Sequence, residues 1–213
     1  MQTKTTKEDN KIKFGTDGWR AVIAESFTFE NLMVVSQATV DYLRNLRPKD
    51  KKGFRIVVGF DTRFLSERFA ETVACVFAAN GIRVILSDTA VPTPTVSFTV
   101  KNRNLDLGIV ITASHNPPEF NGFKIKSSTG GSADASVTEK VENLLFKRKP
   151  KNLSLSNGLK IKLITKENIL QEYIRFLRSY LDLSKMKDSK FRVLVDCMYG
   201  SGNGYIKEIV SDL

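Results

Sequence analysis

The sequence predicts an α/β protein: one α/β domain of about 145 residues, then an incomplete second α/β domain. Three observations predict it. Short, mostly apolar runs alternate with longer segments whose apolar residues recur at helical spacing. Glycine, proline and asparagine punctuate the junctions. Hydrophobic residues make up 41% of the 213-residue chain, enough for a core in one large or two small domains.

The first residues, 1–11, are polar and mixed in charge, a frayed tail without the apolar block of a signal peptide. Phe14-Gly15-Thr16-Asp17-Gly18-Trp19-Arg20 is turn-rich. It fits a hairpin turn, and equally a backbone approach site with Arg20 as an anion-binding side chain. Thr28 caps a helix to about Leu46, with Phe29, Leu32, Val35, Leu43 and Leu46 roughly on one side. Arg55 to Phe60 is a strand with Asp61-Thr62-Arg63 at its end. Ser66 caps the next helix, which carries Phe69, Val73, Val76 and Phe77, and Asn80-Gly81 closes it. Ile82 to Leu86 is a strand. Thr93 and Pro94 read as N-cap and first helical position of a short helix to about Lys101. The apolar run Leu105 to Ile111 follows. Phe123 and Ile125 alternate with Lys124 and Lys126, a strand with one basic face. Thr129-Gly130-Gly131 turns the chain, and Asp134 or Ser136 caps a helix bearing Val137, Val141, Leu144 and Leu145.

Residues 12–149 therefore form the first domain. Residues 150–160 lose clear periodicity and read as a linker, and 161–213 as the start of a second domain. That part holds a helix from about Lys166 to Leu181, an apolar strand Phe191 to Val195, and a glycine-rich loop Asp196 to Gly204 before a helix. The loop spacing is neither a dinucleotide fingerprint nor a P-loop, so a structural turn is the reading. Ile206, Ile209, Val210 and Leu213 keep helical spacing to the last residue. One strand with two helices cannot make a stable sheet domain, so the chain is expected to be the front part of a longer, truncated protein.

The net charge is +10, from 33 Lys+Arg against 23 Asp+Glu. Such a surplus admits nucleic acid, an acidic membrane surface or a phosphorylated substrate. The densest run, Lys147-Arg148-Lys149-Pro150-Lys151, has no interleaved aromatics and follows a predicted helix, so it reads as a solvated helix end rather than a nucleic-acid site. No apolar run reaches membrane-spanning length. Cys75 and Cys197 sit in apolar contexts and are expected as small buried thiols, which fits a reducing cytoplasm.

The stretch Ile111 to Lys126 organises the rest. It sets Ser114 beside His115, the only histidine, just past a buried strand, and stiffens the loop with Pro117 and Pro118. Open α/β sheets place ligand sites there. A serine hydrolase is disfavoured: neighbours on an extended chain point apart, and Ala113 and Asn116 stand where a nucleophile elbow has glycines. Two readings of the residues stay open. Ser114 and Asn116 cap a turn, or Ser114 carries a phosphoryl group surrounded by Arg20, His115, Lys124 and Lys126 with magnesium.

Thr112-Ala113-Ser114-His115-Asn116-Pro117-Pro118, with Asn121-Gly122-Phe123-Lys124, resembles the active-site serine loop of the α-D-phosphohexomutases, which include phosphoglucomutase and phosphomannomutase. Gly15 to Arg20 is similar to that family's N-terminal loop, Gly59 to Arg63 to its first Asp-x-Arg turn, and Asp196 to Gly204 to the start of its second domain. The likeness covers about residues 12 to 213. It implies a mixed sheet sandwiched between helices, and a phosphosugar mutase acting through phosphorylated Ser114 and a bisphosphorylated sugar. By the same likeness, Arg20 and Lys124 lie beside the transferred group and help the proton leave or arrive, the catalytic His115 holds the loop and its phosphate together with Asn116, and Asn116 and Lys126 bind substrate or phosphate. A phosphate oxygen on Ser114 is one ligand of Mg²⁺, and a sugar bisphosphate serves as activator. The paired prolines and Phe123 resemble the phosphoglucomutase/phosphomannomutase branch, so glucose phosphates are the first expectation and mannose phosphates the next.

The family's metal, sugar and phosphate loops have no counterpart in the sequence. Asp17 and Asp61 are the carboxylates available as substitute metal ligands, but their spacing does not support it. Two readings follow: an enzyme portion that works with a missing C-terminal part, or a non-catalytic remnant with a folded first domain. Exposed apolar surface in the second part would favour self-association.

Overall fold

The computed structural model describes residues 12–15, 18–46, 53–187, 190 and 192–210. Strands β1 (Phe14–Gly15), β2 (Gly18–Val22), β3 (Arg55–Phe60), β4 (Arg83–Ser87), β5 (Leu107–Ile111), β6 (Phe120–Lys126) and β7 (Ile164–Glu167) form one sheet in the order β1-β2-β6-β5-β3-β4-β7. β3, β4, β5 and β7 run parallel, while β1, β2 and β6 join by antiparallel pairing, so the sheet is mixed.

Helices cover both faces. On one, α1 (Phe29–Leu46) and α2 (Ser66–Ala79) pack Leu32, Val35, Phe69, Val73 and Phe77 onto Ile56, Val58, Ile109 and Phe123. On the other, α3 (Thr93–Asn102) and α6 (Ile169–Tyr180) bring Val96, Val100, Ile169 and Ile174 against Val57 and Val110. The central strands β3 and β5 are buried on both faces, which is why they read as continuous apolar runs.

Thr28 caps α1 as expected, its Oγ1 accepting from the Asn31 amide at 3.2 Å. Ser66 does not cap α2. Leu65 precedes that helix with φ 60°, and the Ser66 hydroxyl donates to Asp61 Oδ1 at 2.7 Å instead. Pro92 is the cap residue of α3, so Thr93 is already helical. Pro94 still lies in the first turn, where its missing N–H costs no helical bond. Asp134 precedes α4 (Ala135–Glu142) but its side chain makes no capping bond.

The stretch 150–160, expected as a linker, holds helix α5 (Leu155–Lys160), capped by Ser154. β7 then pairs with β4, so the first sheet continues past the expected boundary. β7 is short, and of its four residues only Ile164 is buried. Its strand character comes from the open edge of β4 rather than from its own pattern. The expected helix beginning near Lys166 accordingly starts at Ile169, capped by Asn168.

A short helix α7 (Ser184–Lys187) follows. The expected strand at 191–195 does not form over the described residues 192–195. Val193 and Leu194 are 79% and 94% exposed, and no described strand runs beside them to complete a ladder. Residues 197–203 make successive turns, and α8 (Tyr205–Ile209) lies against the first domain, Tyr205 Oη donating to Ala90 O at 3.2 Å. Cys75 is buried as expected, whereas Cys197 is half-exposed. No helix among the described residues is long and apolar enough to cross a membrane.

Candidate active site

Ser114 stands on the loop that leaves the C-terminal end of β5. The sheet ladder runs up to its base: Asp61 N–H donates to Ile111 O at 3.1 Å, and Thr112 N–H to Gly122 O at 3.0 Å. There the chain turns sharply. Ser114 has φ 59°, a left-handed conformation that costs a non-glycine residue roughly 1–2 kcal/mol. Thr112 Oγ1 accepts from the Ser114 amide at 3.0 Å, and Asn116 N–H donates to Ala113 O at 3.1 Å. Ala113 is buried while Ser114 and His115 are exposed, so the loop is anchored below and open above.

Arg63 supplies the largest part of the anchor. Its Nη1 donates to Pro117 O at 2.7 Å and Phe120 O at 3.0 Å, and its Nη2 to Ser114 O at 2.9 Å and Asn116 O at 2.6 Å. Its Nε lies 3.3 Å from Asp61 Oδ2. Asp61 Oδ1 accepts from the Arg63 amide and from Ser66 Oγ, and Asn121 Nδ2 donates to Ser66 Oγ at 2.9 Å. On the far side, Ile23 N–H donates to Glu119 O at 2.8 Å, tying the loop to the end of β2.

Arg20 meets this loop directly, its Nη1 donating to Asn116 Oδ1 at 2.7 Å. It sits opposite Gly122 in the β2–β6 register. A Cβ on Gly122 would lie 2.5 Å from Thr112 O and 3.1 Å from Arg20 Cγ, so a side chain there would press on the backbone at the base of the loop and crowd the arginine. Lys124 is on the same face of β6, two residues along, because successive side chains alternate.

The basic face predicted for β6 is not a solvated one. Lys124 and Lys126 are only 5% and 6% exposed. α3 and the turn after β6 pack over that face; a Cβ on Gly130 would meet Ser97 O. Lys126 pairs with Gly108, three residues below the end of β5, and its Nζ donates to Ser132 Oγ at 2.9 Å. The fold thus gathers Ser114, His115, Asn116 and Arg20 at one end of the sheet, holds Lys124 just beneath, and sets Lys126 further down.

Asp17 lies outside the described residues. Asp61 is committed to Arg63 and Ser66, so it is not an open metal ligand. Among the described residues no three His, Cys, Asp or Glu side chains come together to hold a metal. The residue that sequence reasoning passed over is Arg63: the motif Asp61-Thr62-Arg63 was visible, but nothing in its spacing showed that the guanidinium reaches the serine loop.

Residues 11–152 match the family model described as phosphoglucomutase/phosphomannomutase, alpha/beta/alpha domain I. The chain belongs to the phosphoglucomutase/phosphomannomutase family. Among its relatives, a phosphoglucosamine mutase of Dictyoglomus turgidum is 33% identical over 94% of this chain and 43% of its own length. A phosphoglucomutase of Staphylococcus saprophyticus is 29% identical over 100% of this chain and 40% of its own. A Thermus thermophilus crystal structure described as a phosphomannomutase superposes with a TM-score of 0.82 and 32% identity, over 94% of this chain and 43% of that one. The chain therefore spans less than half the length of these phosphohexomutases.

Proposed function

We propose that the chain is the part of a phosphosugar mutase that carries the phosphoryl group, with Ser114 as carrier. The observation that supports it most is the loop itself: an exposed serine at positive φ, held by buried anchors, with a guanidinium one residue-contact away through Asn116. Phosphorylated Ser114 would give its phosphoryl group to a free hydroxyl of a hexose monophosphate. The Ser114 Oγ–P bond breaks, a new sugar O–P bond forms, and the proton lost by the sugar hydroxyl ends on the freed Ser114 oxygen. The bisphosphorylated sugar turns over and returns its other phosphate to Ser114. In such a transfer, positioning and charge stabilisation do most of the work.

Arg20 and Lys124 supply positive charge next to the transferred group and assist the proton, and Asn116 holds Arg20 in place. His115, exposed beside the serine, would help hold the loop's phosphate. Lys126 has a weaker claim, since it serves the turn at Ser132. A magnesium ion would find one ligand from this chain, a phosphate oxygen on Ser114, and the described carboxylates do not complete its shell. A phosphorylated hexose, a sugar bisphosphate activator and a cytoplasmic setting belong to the same reading.

Glucose 1-phosphate and glucose 6-phosphate are the first substrates to test, on the likeness of the loop, with mannose phosphates next. Relatives named phosphoglucosamine mutase add glucosamine phosphates to that comparison. A second reading is a folded first domain without turnover of its own, and the assay below separates the two.

The experiment is a mutase assay with Mg²⁺ and a hexose bisphosphate, on the chain alone and with the C-terminal part of a relative. Turnover that appears only on complementation, and disappears in Ser114→Ala, supports the carrier role. No turnover in either condition supports the non-catalytic reading. Labelled phosphate found on another residue removes Ser114 from the role.

A further inference from the structure

We propose that Arg63 is the positioning residue of the serine loop and takes no substrate phosphate itself; the functional half of this inference rests on the carrier role of Ser114. A guanidinium has five N–H donors. Here one faces Asp61, and the other four meet the carbonyls of Ser114, Asn116, Pro117 and Phe120. All five are used inside the protein, and the side chain is only 14% exposed. Arg20 meets the same loop at the Asn116 side chain.

The loop needs such a group. Pro117 and Pro118 contribute carbonyls but no N–H, so the two backbone bonds that close the loop, Asn116 N–H to Ala113 O and Phe120 N–H to Pro117 O, leave carbonyls for a side chain to satisfy. Four carbonyls converge, and a planar fork satisfies all of them from one position. An ammonium, with three donors around a point, does not. The grip on Ser114 O also offsets the left-handed conformation that leaves the serine side chain exposed. Asp61, itself braced by Ser66, fixes the plane of the guanidinium, and Asn121 braces Ser66 in turn.

The test compares wild type with Arg63→Lys in the 213-residue chain by amide hydrogen exchange. The Asn116 and Phe120 amides, bonded within the loop, should exchange about tenfold faster in the variant while the β5 amides stay unchanged. Equal protection in both proteins, or the same acceleration throughout β5, overturns the clamp. The second arm follows phosphate incorporation at Ser114 from a labelled hexose bisphosphate, in the complemented preparation described above. The rate at saturation should fall about tenfold with the half-saturating concentration unchanged, and millimolar guanidinium should partly rescue Arg63→Ala. A raised half-saturating concentration at an unchanged rate would make Arg63 a substrate ligand and overturn the proposal. Absence of labelling in wild type sinks the carrier role instead, and the clamp is then decided by exchange.

Discussion

Lys124 shows how burial changes what a charged residue does. It lies on the basic face of β6, yet that face is covered. At 5% exposure its stem is packed, so Lys124→Ala should lose about 1–3 kcal/mol in a denaturant melt besides slowing phosphoryl transfer. An unshifted midpoint would show that the stem is not packed as described. The two cysteines separate in the same way. Burial, helped by the Glu71 carboxylate, pushes the Cys75 thiol up to about 11, whereas Cys197 is half-exposed. At pH 8 iodoacetamide should modify Cys197 well before Cys75, and mass spectrometry of a timed reaction reads the order. Faster modification of Cys75 would mean the core opens locally.

At the level of elements, β2, β6 and β5 close over Gly122. Its replacement by alanine would press a methyl against Thr112 O and Trp19 O, both backbone atoms with little freedom to move. Gly122→Ala should cost about 1–3 kcal/mol and disturb the serine loop, read by thermal melting and by exchange at Thr112. A second joint ties α3, β7 and α6 together: Arg103 pairs with Glu167 at 2.6 Å and Glu172 at 2.9 Å. The Arg103 hydrogen bond holds the Glu167 carboxyl below its usual range. A lowered folded pKa contributes stability above the unfolded value and loses it as pH falls through the folded one. Glu167→Gln should therefore lower stability at neutral pH and flatten the acid limb of a stability–pH curve. A variant with an unchanged acid limb would show that this pair does not set it.

For the whole molecule, the boundary of the folded unit matters most. α6 covers Val57 and Val110 and β7 occupies the edge of β4, so a chain ending near residue 152 would bare both. Residues 12–152 alone should be markedly less stable than residues 12–187, and light scattering should detect association of the shorter piece. Equal melting midpoints would put the boundary back near residue 150. Val193, Leu194, Met198 and Tyr199 are exposed apolar residues in the full chain, so self-association is also expected there. A monodisperse monomer in solution scattering would count against it.

Periodicity and punctuation were enough to locate α1, α2, β3, β4, β5 and the serine loop. Each carries its own local signal: a cap, a glycine exit, an apolar run buried on both faces. The family, too, was legible, because the loop's residues are contiguous. β7 was not legible, since a short edge strand is defined by its neighbour, nor was the missing strand at 192–195, whose apolar pattern finds no described partner. The site's support was hidden for the same reason. Arg63 and Ser114 are far apart in the chain and meet only because β3 and β5 lie side by side and end together. Long-range pairing is a property of the sheet, and only the tertiary structure decides it.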